Sequence, residues 1–207
     1  MSRTCRYLAL ATALSLGSAC SILPQAEPAD VYRLPSAQST RSLTQSAPWS
    51  LRINKPIASD ALNSPRIAVV PQGNLISSYK GARWSDPAPT LLRNRMLDAF
   101  QRDGRVQRLS ADDSNLQSDY EIAGELQAFQ SEYSADGLAV VIRYDARLVQ
   151  GRSQRILASQ RFEVRQPLSD KQVAAVVSGF GSASDQLMKQ LVDWTVNQAD
   201  QLQAKNQ

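Results

Sequence analysis

Three alternating runs follow one another between residues 120 and 165, and this pattern constrains the fold more than any other feature. On one side of the first run lie Tyr120, Ile122, Leu126 and Ala128. Leu138, Val140, Ile142, Tyr144, Ala146 and Leu148 share a side of the second, and Ile156, Ala158, Phe162 and Val164 a side of the third. Successive side chains of a strand point to opposite faces, so a period of two means a strand with one buried face. "SADG" (134–137) and "QGRS" (150–153) supply turns, and three strands joined this way form an antiparallel meander. The opposite sides carry Glu121, Glu125, Arg143, Asp145, Arg147, Arg161, Glu163 and Arg165. Mixed charges on neighbouring strands read either as a solvated face with cross-strand pairs or as a contact surface in an oligomer or complex.

Helical patterns flank further strands. "WSLRINKP" alternates Trp49, Leu51 and Ile53 with polar residues, while "RIAVV" (66–70), "NLISSY" (74–79) and "RVQRLS" (105–110) read as shorter strands. Between them "SDPAPTLLRNRMLDAFQRDG" reads as a helix: Asp86 suits the N-cap, Pro87 the first turn and Gly104 the position past the end. Ala88, Leu91, Leu92, Met96, Ala99 and Phe100 give it one apolar face. A second helix is predicted from Ser169, with Gln172 completing a capping box and Val173, Val177, Phe180, Leu187, Leu191, Trp194 and Gln198 as its stripe. Gly179 and Gly181 mark either a break in that helix or a close approach to the sheet, since each costs about 1 kcal/mol relative to Ala there. The fold class expected is α+β, a single antiparallel β-sheet with two main helices packed on one face.

The N-terminus has a different logic. Arg3 and Arg6 precede an apolar run from Tyr7 to Leu16, and Gly17, Ser18 and Ala19 lead into Cys20. That is the layout of a secretory signal, too short to cross a bilayer as a mature helix. Small residues running into a cysteine resemble the bacterial lipoprotein signal, so residues 1–19 are expected to be removed. Cys20 is then expected to carry diacylglycerol and an N-acyl lipid such as palmitate. The chain has two cysteines, Cys5 and Cys20, so the folded part keeps no thiol and no disulfide. Ser21 rather than Asp follows Cys20, which by Gram-negative sorting rules points to the periplasmic face of the outer membrane. Residues 20–47, rich in Ser, Gln, Ala and Pro, are expected to form a tether, with a short strand at 31–34 ended by Pro35. Residues 48–207 are expected to form the domain.

Little chemistry is available. The chain contains no histidine, which removes the commonest neutral-pH base and metal ligand. "GFGSAS" (179–184) lacks a third glycine and follows helix rather than strand, so it is no dinucleotide fingerprint. "SSYK" (77–80) fits Ser-x-x-Lys without the companion motifs of acyl-serine enzymes. Adjacent Asp112 and Asp113 sit in a polar stretch that reads as a turn. No catalytic residues, metal ligands or cofactor site are expected, and the protein is read as no enzyme. Of 23 basic residues, Arg3 and Arg6 fall in the removed segment, leaving 21 against 19 acidic and no basic block. A nucleic-acid partner is not indicated.

"YKGARWSDPAPTLL" (79–92) has two readings. In one, Tyr79 ends a strand, Gly81 turns, Trp84 packs, and Asp86-Pro87 starts a helix. In the other, Tyr79, Arg83 and Trp84 form a partner contact, because aromatic and Arg side chains dominate interfaces. Together with "VYRLP" (31–35) and "LRINKPIASDALNSPRIAVV" (51–70), this stretch resembles the ABC-type transport auxiliary lipoproteins, the family of the PqiC component of the Pqi system. The resemblance runs over about residues 30 to 200. It implies a non-catalytic auxiliary or docking subunit of an MCE-type (Pqi- or Mla-like) system that moves phospholipid between the two membranes and supports envelope integrity. The implied partners are an MCE-domain protein and its transport complex, and the membrane through the lipid anchor; the resemblance allows a homo-oligomeric ring. The residues alone leave open a lipid-anchored structural or regulatory protein of another envelope machine, such as a secretion channel or a cell-wall synthase activator. A lipid-handling enzyme or carrier would need a polar constellation or an apolar cavity.

Overall fold

The computed structural model describes residues 28–36, 46–114 and 116–205. The expectations for residues 1–19, for Cys5 and for lipidation at Cys20 lie outside the described residues. Among the described residues, nine strands form one open sheet: β1 (Asp30–Tyr32), β2 (Ser50–Ile53), β3 (Ile57–Ala58), β4 (Arg66–Gln72), β5 (Leu75–Trp84), β6 (Arg108–Ala111), β7 (Tyr120–Ser134), β8 (Gly137–Gln150) and β9 (Ile156–Pro167). Among the same described residues two helices complete the α+β fold, α1 (Ala88–Asp103) and α2 (Val173–Lys205).

β7 organises the sheet. One edge pairs with β8 along its length, and β8 pairs in turn with β9, both antiparallel, giving the meander. The other edge is shared by β2, β3 and β4, each parallel to β7. β5 joins β4 antiparallel, while β6 and β1 add parallel strands at β2 and β5. The sheet is therefore mixed rather than antiparallel throughout. The period-2 pattern reports which face a side chain takes, not which strand lies beside it.

Irregularities re-aim several side chains. A register shift between Leu126 and Ala128 places Gln127 as an extra residue. Phe129, not Ala128, then joins the core with Leu126. A second shift, between Leu148 and Val149, turns Ile156 out to solvent, where it is 59% exposed. β5 does not end at Tyr79; it passes Gly81, whose φ of 66° is left-handed, and continues to Trp84 with a register shift against β4.

α1 starts at Pro87 as N-cap, without a side-chain cap, because Asp86 instead accepts from the Ser85 hydroxyl at 2.9 Å. It stops at Gly104 (φ 81°), whose amide donates to the Phe100 carbonyl at 3.1 Å. α2 is unbroken for 33 residues. Its predicted capping box does not form; Asp170 Oδ1, one residue after Ser169, accepts the Gln172 amide at 3.0 Å in its place. Gly179 lies where a Cβ would press on Leu168 and come within 3.3 Å of Val140, so close approach, not a break, accounts for it. The two helices pack on each other, α1 also against β2 and β6, and α2 against β8 and β9. Their buried residues and the meander's form a single apolar cluster. Trp49 closes one end: it meets Tyr120 edge-on at 5.5 Å, and its indole donates to Asp200 of α2 at 3.2 Å.

Candidate docking surface

The stretch 79–92 divides into a buried and an exposed part. Trp84 is fully buried, edge-on to Phe129 at 6.1 Å and to Phe180 at 5.2 Å, with Phe129 and Phe180 stacked at 4.7 Å. It presents no surface to a partner, because alternation along β5 and the chain's turn into α1 direct it inward. Tyr79 is half-buried, with its hydroxyl 2.9 Å from the Ser131 hydroxyl; burial pushes its pKa up. Arg83 remains exposed, its guanidinium donating to the Trp84 carbonyl at 3.4 Å. The structure therefore separates the three candidates, and Arg83 is the one left on the surface.

The charged side of the meander is paired across strands. Arg161 holds Asp145 at 2.6 and 2.7 Å, and Arg143 holds Glu163 at 2.8 and 3.1 Å. Arg147 reaches Glu125 at 2.7 Å, and Arg165 reaches Glu132 at 3.3 Å. The hydrogen bonds from Arg161 and Arg143 hold the Asp145 and Glu163 carboxyls below the usual range. These pairs satisfy one another within the face, an arrangement that suits a solvated face and a contact surface alike.

Glu121 differs in being buried. Its carboxylate accepts Arg52 Nη2 at 2.6 Å, Asn54 Nδ2 at 2.9 Å and Gln154 Nε2 at 3.1 Å. Burial pushes this carboxyl up, but the three donors outweigh it and hold it below its ordinary value. Beside it opens a polar cleft of about 550 Å³, lined by Ser50, Arg52, Ser118, Asp119 and Arg152 among others. Asp119 accepts the amide and hydroxyl of Ser50 at 2.8 and 2.7 Å, which lowers its pKa.

The remaining candidates are taken up by structure. Arg93 bonds Asp112 at 2.7 Å and Asp113 at 3.1 Å, so these carboxylates answer an arginine. Ser77 and Lys80, three apart on a strand, point to opposite faces. Among the described residues, no group of three or more His, Cys, Asp and Glu side chains could hold a metal ion. No described helix is long and apolar enough to cross a membrane. Sequence reasoning passed over Leu75, Ile76 and Tyr133, which are 61%, 42% and 43% exposed. The signal was present in "NLISSY", where adjacent Leu75 and Ile76 cannot both face inward on a strand.

This geometry matches known proteins. Protein XCC0632 from Xanthomonas campestris has a solved structure similar to this one, with a TM-score of 0.79 and 30% identity over 85% of this chain and 99% of that one. A second solved structure, at 16% identity, shares the fold with a TM-score of 0.63 over 81% of this chain and 98% of that one. The protein bll6063 of Bradyrhizobium diazoefficiens is 28% identical over 166 residues, 80% of this chain, and the chain spans only 44% of that relative's length. A family model, the ABC-type transport auxiliary lipoprotein component, matches residues 32–192, from the last residue of β1 into α2. The chain belongs to the ABC-type transport auxiliary lipoprotein family.

Proposed function

We propose that this chain is an outer-membrane-anchored, periplasmic docking subunit of an MCE-type ABC lipid transport system, held by lipid on Cys20. The observation that carries the reading is the family match over residues 32–192, which takes in β2 to β9, α1 and most of α2. The signal-like segment ending at Cys20 supports the anchor, and multiple acyl chains give durable attachment at about 0.8 kcal/mol per buried CH₂. A docking part works by presenting a surface that costs little to order. The paired arginines and carboxylates of β7, β8 and β9 supply such a surface. β9 has β8 as its only strand neighbour among the described residues, and its open edge is where a second copy would add in a ring.

The test is affinity capture of the full-length tagged chain from mildly solubilised envelopes, with fractionation of Cys20→Ala alongside. Recovery of an MCE-domain protein, together with release of Cys20→Ala into the soluble fraction, is the expected result. Recovery of secretion-channel or cell-wall synthase subunits instead would overturn the transport role. Retention of Cys20→Ala in the membrane would overturn the anchor.

A further inference from the structure

The register of β1 fixes the direction from which the anchored segment enters the fold. β1 lies parallel to β5, with Asp30 opposite Ala82 and Tyr32 opposite Trp84. Pro28 and Ala29 therefore enter from the side of Gly81 and Lys80, the direction of the turn at Gly73 and Asn74 that joins β4 to β5. Val70 pairs with Glu132, and Gln72 with Leu75, so that turn and the β7–β8 turn lie at the same end of the sheet. The cleft beside Asp119 and Gly151 lies at the other end, where Tyr120 pairs with Gln150.

Reach distinguishes the two ends. Eight Cα-to-Cα steps separate Cys20 from Pro28, so a fully straight chain spans about 28 Å and one of random-coil dimensions about 15 Å. Carried back along β5, Pro28 lies near Lys80, roughly 17 Å from Leu75 at about 3.3 Å per residue. Ser78 pairs with Ala68, and Ala68 with Gln130, so the opposite end of β7 lies roughly 25 Å away, before its loops are added. Reaching a bilayer at that end would need the segment fully extended and doubled back against β1. The near end is reached without either.

Apolar side chains are exposed at the near end. Leu75 and Ile76 project from β5, and Tyr133 stands beside them at the end of β7; Ile76 and Tyr133 line the same open cleft with Val70. The residues at the tips of the two turns are Gly73, Asn74, Ala135 and Asp136, which bring one charge, a negative one. We propose that this end of the sheet rests on the phospholipid surface, with Leu75, Ile76 and Tyr133 entering the headgroup layer. An amphipathic Tyr beside two aliphatic residues suits that layer, and the contact is apolar rather than electrostatic. The inference rests on the lipid anchor at Cys20. It adds which end of the domain faces the membrane and leaves the opposite end toward the periplasm.

With Cys5 removed and Cys20 acylated, an introduced cysteine is the only free thiol, so Ile76→Cys and Ile156→Cys can each be labelled with an environment-sensitive fluorophore. The lipidated full-length chain is placed in phosphatidylethanolamine and phosphatidylglycerol vesicles, and flotation is scored with emission. The expected result is a blue shift and quenching by brominated lipid at position 76, persisting at high salt, with position 156 remaining in water. Floating vesicles with both probes in water overturn the membrane contact and leave the anchor standing. A chain that does not float loses both. A blue shift at position 76 that is present without vesicles and disappears on dilution overturns the proposal in favour of a second copy of the chain.

Discussion

Trp84 and Phe180 meet edge-on, ring centroids 5.2 Å apart and planes at 89°, and this contact joins the end of β5 to the first third of α2.

Trp84→Ala is expected to cost about 3–5 kcal/mol, because it empties a fully buried site that the helix cannot collapse into. Arg83→Ala, one residue away and exposed, should stay within about 0.5 kcal/mol. Urea unfolding of both variants checks this. Similar destabilisation in the two would mean that Arg83 also belongs to the packing. A stable Arg83→Ala chain that no longer captures its partner would mark Arg83 as a contact residue.

Gly124 and Gly179 make a controlled pair for alanine substitution. A Cβ on Gly124 would strike the backbone oxygen of Asp145 and lie 2.9 Å from both Cε2 and Oη of Tyr144. Neither neighbour can move without disturbing β8, so Gly124→Ala should cost roughly 2–3 kcal/mol through overpacking. At Gly179 the first obstacle is the tip of the Leu168 side chain, which can turn aside, and Ala gains about 1 kcal/mol of helix propensity over Gly. Gly179→Ala should therefore fall near neutral. Thermal melts that rank the two the other way would show that the helix sits more rigidly on β8 than the strands sit on each other.

The meander was legible because each strand buries one face and the turns between strands are short. The helices were legible from Pro87, Gly104 and the 3.6-residue spacing of Leu92, Met96 and Phe100. Partner choice along β7's second edge left no such trace. Leu51, Ile53, Ile67 and Val69 would show the same alternation beside a parallel or an antiparallel neighbour. Bulges were hidden for a related reason: one extra residue at Gln127 exchanges the faces of Ala128 and Phe129, and both are apolar. At the candidate surface, residue type pointed to Trp84 and Arg83 equally. Only the register of β5 and the approach of Phe180 decide which of them is buried.

Glu121 makes stability sensitive to acid. Its folded carboxyl titrates below the ordinary 4.5, so its stabilisation is complete above that value and is lost as pH falls through the lower folded one. Asp112, Asp119, Asp145, Glu163 and Asp193 are shifted in the same direction and lose stability over the same window. Glu121→Gln should thus lower stability at neutral pH and flatten, without abolishing, its fall between about pH 5 and pH 3. Urea midpoints across that range provide the measurement. An unchanged slope in Glu121→Gln would assign the acid sensitivity to the exposed pairs.

Arg95 and Arg143 separate a buried ion pair from a surface one. Arg95, its side chain 8% exposed, bonds Asp98 within α1 at 3.1 Å and also pairs with Asp185 of α2, and this second pair clamps the two helices. Arg143 is about a third exposed and pairs with Glu163 across the charged face of the sheet. Removing one partner of a buried pair strands the other carboxylate and costs about 3–5 kcal/mol when both are enclosed. Asp185 retains some solvent, its side chain 32% exposed, so the loss in Arg95→Ala should sit near the lower end of that range. Arg143→Ala should cost no more than about 1 kcal/mol, because water screens the pair it breaks. Joint replacement of Arg95 by Met and Asp185 by Leu removes both charges and keeps the packing, and should recover most of what Arg95→Ala loses. If that double variant is no more stable than Arg95→Ala, the clamp acts through the shape of the arginine stem rather than through its charge.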